Sequence, residues 1–125
     1  MKLYYFLIIL SFLSACSKNE DAIDDASPPA ISPLTPSDNQ VFDPGQAINI
    51  RMQVKDDSKI FLVHVHISDK NTGQLLLDIH RYPDNPLYDL NESFTAKAGI
   101  GYKIQVIGRD IRGNESNLTV FVTTN

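Results

Sequence analysis

Two short stretches hold the residue types of a transition-metal site: His64-Val65-His66 and Asp78-Ile79-His80. Imidazole nitrogen and carboxylate oxygen are zinc ligands, and a His-x-His strand joined by a His from its neighbour can hold that ion. Whether the four side chains meet depends on the connection. Asn71-Thr72-Gly73 suits a three-residue hairpin loop, with Gly73 in the left-handed position that closes a type I turn plus bulge. Such a loop pairs Lys70 with Gln74, so His64 falls opposite His80 and His66 opposite Asp78. Parity agrees, because Val63, Val65, Ile67, Leu75, Leu77 and Ile79 share the other, apolar face. Opposed Cβ atoms lie about 5 Å apart, which brings three imidazoles and one carboxylate onto one surface. A metal there has Asp78 or water in its fourth place. The alternative is a solvated or partner-contacting face, and a slip of one residue would turn His80 to the core. No general base or substrate cleft accompanies the cluster, and Ser93 has no activating neighbours, so the expectation is a protein that is not an enzyme.

The same face carries apolar residues that a solvated sheet does not require. Leu62, Leu76, Tyr82, Ile107 and Phe121 have outward parity. With His64, His66, Asp78 and His80, the residues Leu62, Tyr82 and Ile107 make a candidate binding face for an envelope protein or a glycan, whereas a face without a continuous apolar patch would favour a purely structural envelope spacer. A further candidate is a calcium site at Asp56, Asp57, Asp110, Asn114 and Glu115, with Asp24 and Asp25 nearby, since hard oxygen ligands suit a hard cation. Arg109 and Arg112 oppose it, and ordinary turn chemistry is the alternative. Tyr82 and Tyr88 either stack on a sugar or pack their loop onto the sheet.

The elements that position these residues are strands. Ile48, Ile50, Met52 and Val54 alternate with polar residues, Phe61, Val63, Val65 and Ile67 alternate with Leu62, His64, His66 and Ser68, and Leu75, Leu77 and Ile79 share one face. Tyr102, Ile104 and Val106, and later Leu118, Val120 and Val122, repeat the pattern. Turn residues recur at Asp43-Pro44-Gly45-Gln46, at Asp56-Asp57-Ser58-Lys59 and over Asp110 to Asn114; Arg81 to Asn91 reads as a loop and Glu92 to Ala96 as a poorly alternating strand. Ile31 and Leu34, among Pro33 and Pro36, predict a short irregular edge strand. The fold class expected is all-β, an antiparallel sandwich of about seven strands.

Ala98-Gly99-Ile100-Gly101-Tyr102, an alternating strand, and Arg109-Asp110-Ile111-Arg112-Gly113-Asn114-Glu115-Ser116 resemble the closing hairpin of bacterial immunoglobulin-like domains. Phe42-Asp43-Pro44-Gly45 is similar to their first strands. The resemblance covers Ile31 to Thr123 and implies an immunoglobulin-like or cadherin-like sandwich without the Trp and paired Cys of antibody domains. It implies no particular function.

The N-terminus predicts an address. Lys2 precedes an apolar run, Leu3 to Phe12, of about ten residues, half of what spans a bilayer. Leu13-Ser14-Ala15-Cys16 resembles the bacterial lipobox, which implies a signal peptide over 1–15 and a diacylglyceryl-bearing Cys16 as first mature residue. Residues 16–30 read as an acidic, Pro-ended tether and 31–125 as the sandwich. Ser17, and Lys18-Asn19-Glu20-Asp21, are similar to signals that direct lipoproteins of Bacteroidota to the outer membrane and the cell surface. Cys16 is the only cysteine, so no disulfide can form within the chain. Removal of 1–15 takes Lys2, leaving ten Lys and Arg against fifteen Asp and Glu, a net charge of −5 with His neutral. That balance excludes nucleic acid and anionic headgroups as natural partners; the expected membrane contact is the lipid itself.

Overall fold

The computed structural model describes residues 27–125. The signal peptide, Cys16 and most of the tether lie outside them, as do Asp24 and Asp25. Seven strands follow in order: β1 Ala30–Thr35, β2 Gln40–Phe42, β3 Ala47–Asp69, β4 Leu75–Arg81, β5 Asn85–Thr95, β6 Gly101–Asp110 and β7 Glu115–Thr124. The fold is an immunoglobulin-like β-sandwich, and no helix occurs among the described residues.

One strand organises both layers. The first half of β3 is flanked by β1 and β5, its second half by β4 and β6. Beyond β6 come β7, antiparallel, and β2, parallel to β7. The inward residues of β3 are Ile48, Ile50, Met52 and Val54 before the crossing and Ile60, Val63, Val65 and Ile67 after it, all buried. Leu90, Ile104, Val106, Val120 and Val122 close the core from the other strands. Burying one such side chain stabilises by about 1.5–3 kcal/mol. Core packing carries this domain.

Several expectations need correction. The backbone stays extended through Asp56-Asp57-Ser58-Lys59 rather than turning. The chain changes sheet there by shifting register against β5 between Lys55 and Ile60. Asp56 Oδ2 accepts hydrogen bonds from the Ser58 amide and hydroxyl at 3.2 and 2.6 Å, which replaces pairing lost at the shift. A bulge against β6 between Ile60 and Leu62 then inverts parity. Ile60 therefore takes the core place expected for Phe61, which is 50% exposed.

Arg81 to Asn91 is not a loop. β4 runs through Arg81, Tyr82–Asp84 connect, and β5 begins at Asn85. Pro86 is tolerated because β5 pairs only with β3 and leaves its other edge free. Tyr88, Leu90 and Phe94 point inward, whereas Glu92 interrupts the apolar series and hides the strand from a pattern search. Leu75 and Leu77, expected on the core face, are 52% and 40% exposed, because β4 is an edge strand that overhangs the gap between layers.

Tyr102 is buried, and its hydroxyl accepts a hydrogen bond from the Lys97 amide at 3.0 Å. A Tyr at the start of this strand, bonded to backbone a few residues upstream, is the tyrosine corner of immunoglobulin-like sandwiches.

Candidate metal centre and binding face

The hairpin that builds the site closes differently from the expected one and reaches the same register. Asp69, not Lys70, pairs with Gln74, its amide donating to the Gln74 carbonyl at 2.8 Å. Asp69 Oδ1 also accepts from the Asn71 and Thr72 amides at 2.7 and 3.0 Å, and Gly73 has φ +74°. Lys70 instead donates its amide to Gly101 on the neighbouring strand. Ser68 faces Leu75 and Ile67 faces Leu77, so Leu76 is one extra residue. This bulge restores the pairs His64–His80 and His66–Asp78.

On the other side of β3, His64 pairs with Ile107 and His66 with Gln105. Two rows thus cross the outer face: His80–His64–Ile107 and Asp78–His66–Gln105. The His64 and His80 rings stack at 3.8 Å between centroids, 23° apart, while His66 stands at 87° to His64. His64 Nε2 is hydrogen-bonded to Asp78 Oδ1, and His66 Nε2 lies 3.4 Å from the same oxygen. One ligand atom from each of His64, Asp78 and His80 falls within 4.8 Å of the other two. That trio is the candidate metal centre among the described residues.

Asp78 is held below the usual carboxylate value, first by the hydrogen bond from His64. Partial burial works the other way, and the charges of His64, His80 and His66 add to the lowering. An ionised carboxylate ringed by imidazoles is a ready cation ligand.

The remaining face residues divide. Leu62 and Ile107 are half-buried, and Tyr82 is exposed with its edge against Phe61 at 5.8 Å. Phe121 lies farther along, with the Lys70 ammonium 5.2 Å from its ring centroid. Leu76, the bulged residue, turns away to line an apolar cleft of about 300 Å³ with Ile67, Leu77, Phe94, Ile100 and Tyr102. Only an edge strand hanging over the layer gap could reveal that cleft. Elsewhere between β4 and β5, Arg81 forms an ion pair with Glu92 at 2.5 Å. A hollow of about 270 Å³ near Thr35, Gln40, Gln46 and Arg51 touches no candidate residue. Tyr88 packs against the core, so it does not join Tyr82 in a sugar-stacking loop.

The acidic end is built otherwise. Asp110 is 1% exposed, and its Oδ1 accepts from the Arg112 and Asn114 amides at 2.8 and 2.9 Å. Its Oδ2 accepts from the Asn114 side chain at 2.8 Å. Burial pushes the carboxyl up, but hydrogen bonds from Asn114, Arg112 and Gly113 outweigh it and hold the group below the usual value. Glu115 receives Arg109 Nε and Nη2 at 3.0 and 2.7 Å. With Asp56 bonded to Ser58, three of the carboxylates considered for calcium already have partners.

No protein-family model matches the chain, and no curated protein matches it by sequence. Solved structures do. The fibronectin(III)-like modules of Clostridium thermocellum CbhA align with TM-score 0.52 at 17% identity, covering 76% of this chain and 96% of theirs. A superoxide reductase (neelaredoxin) from Ignicoccus hospitalis aligns with TM-score 0.58 at 12% identity, covering 84% and 87%. At these identities the likeness establishes the fold. The chain is a fibronectin-like, immunoglobulin-like β-sandwich.

Proposed function

We propose that this chain is a non-catalytic binding module, anchored in the outer membrane through lipid on Cys16 and facing the cell surface. Its partner, an envelope protein or a glycan, meets the outer face built by Leu62, His64, His66, Asp78, His80, Tyr82 and Ile107. The observation that carries this reading is the cross-strand row His80–His64–Ile107, which sets an apolar residue beside stacked imidazoles on the outer face. Mixed aromatic and aliphatic surface of this kind suits recognition. The fold supports the same reading, because a sandwich of this class presents whole sheet faces.

Crosslinking of outer membranes, followed by capture of the lipidated protein and mass spectrometry, tests the proposal. The double variant His64→Asp, Ile107→Asp should lose its partner while keeping the strand signature in circular dichroism. Unchanged capture would refute the face. Cys16→Ser should move the protein from the membrane pellet to the soluble fraction, and retention in the pellet would refute the anchor.

A second reading is favoured by the convergence of His64, Asp78 and His80 within 4.8 Å. Under it, the face holds a divalent metal ion of the zinc class. Calcium at the acidic end has weaker support, because Asp56, Asp110 and Glu115 already have partners.

A further inference from the structure

We infer that His64, Asp78 and His80 are the three protein ligands of a zinc-class divalent ion, that His66 positions Asp78 without touching the ion, and that the fourth coordination place opens to solvent and takes a donor from outside the domain. This inference rests on the metal-binding reading of the face.

The donor set selects the ion. Two imidazole nitrogens and one carboxylate oxygen suit zinc and its first-row neighbours, whereas calcium and magnesium prefer oxygen throughout. Distances allow it. A tetrahedral ion with bonds of about 2.0–2.1 Å sets its ligand atoms about 3.3 Å apart. The three donors already lie within 4.8 Å of one another, so side-chain rotation closes the site without backbone movement. Their backbones are fixed, His64 and His80 being directly paired and Asp78 next but one along β4. On binding, His64 exchanges its hydrogen bond to Asp78 for the ion.

His66 has a different place. It sits opposite Asp78 rather than beside His80, its ring lies across that of His64, and its Nε2 is 3.4 Å from Asp78 Oδ1. From there it can donate a hydrogen bond to a ligating carboxylate, the usual task of a group just outside the ligand shell. The open place follows from the sheet. All three ligands rise from one face, so they occupy one side of the ion, and Asp78 and His80 are exposed on the other. A site of this composition is completed by water or by a side chain from a partner.

Zinc competition against a chromophoric chelator, on the lipidated full chain in detergent at neutral pH, tests the assignment. The unaltered protein should hold about one equivalent. His80→Ala and Asp78→Asn should weaken binding by more than a hundredfold. His66→Gln, which keeps a donor near Asp78, should weaken it by about tenfold. With cobalt(II) in place of zinc, added imidazole should shift the visible absorption of the bound ion. Absence of binding in the unaltered protein would overturn the metal reading and this inference together. Binding that His66→Gln damages as severely as His80→Ala would overturn the role of His66 and leave the metal reading standing. A cobalt spectrum indifferent to imidazole would overturn the open place alone.

Discussion

Asp78 and Asp110 are both held below the usual carboxylate value, yet their partners are of opposite kinds. Asp110 is buried and bonded by the amides and side-chain nitrogen of its own turn, donors that never titrate and cannot leave. Asp78 is exposed on an edge strand and bonded by the His64 imidazole, with His66 3.4 Å away, partners that can be rotated or shared with an ion. The first arrangement locks a hairpin. The second leaves a carboxylate available to an outside ligand. A lowered pKa therefore does not by itself mark a functional group; what matters is whether the partners can be exchanged.

The two carboxylates differ most in what they contribute to stability. Asp110→Ala removes the buried acceptor of the Arg112 and Asn114 amides and should lower the unfolding free energy by about 2–4 kcal/mol, read by urea denaturation. A loss below about 1 kcal/mol would mean that water replaces the carboxylate and the lock is illusory.

Zinc sharpens the other side. At a hundredfold excess over its dissociation constant it should stabilise the unaltered protein by about 2.7 kcal/mol, and Asp78→Asn should abolish this gain while Asp110→Asn retains it. Equal gains in both variants would remove Asp78 from the site.

Acid separates the two again. Each carboxyl has a folded value below its unfolded one, so the stability it contributes is present above the unfolded value, near 3.8, and is lost as pH falls through the folded value. Below pH about 4, Asp110→Asn should flatten the fall in stability more than Asp78→Asn does, because an exposed pair is screened by solvent. The reverse order, in denaturation curves taken across that window, would invert the comparison.

The smallest expected effect is that of Asp78→Asn on the metal-free protein at neutral pH, where solvent screens the exposed pair and the urea midpoint should hardly move. Tyr102→Phe provides a scale just above it, since loss of the hydrogen bond from Lys97 should cost about 1 kcal/mol.

Much of this site is legible in the chain. Period-two alternation in Val63, Val65 and Ile67 announces a strand with His64 and His66 outward, and Gly73 announces the turn. Both are local signals, set by pleat geometry and by the one residue type that accepts positive φ without strain. The pairing of His64 with His80 came out as the turn suggested, although through a different closing pair and a bulge at Leu76. Two departures cancelled there. At Phe61 a single bulge acted alone, and parity failed.

By itself, then, the sequence determined that the domain is all-β, which residues of β6 and, away from Phe61, of β3 could enter a core, and which faces carry imidazole. Those properties depend on neighbours one or two positions away. Only the tertiary structure decided that β3 crosses between layers without turning, that β5 forms despite Pro86 and Glu92, and that the leucines of β4 overhang a cleft. It also decided that Asp110 closes on its own turn while Asp78 meets three imidazoles. Each of these rests on contacts between strands distant in the chain, where sheet edges, register shifts and the satisfaction of buried polar groups override local pattern.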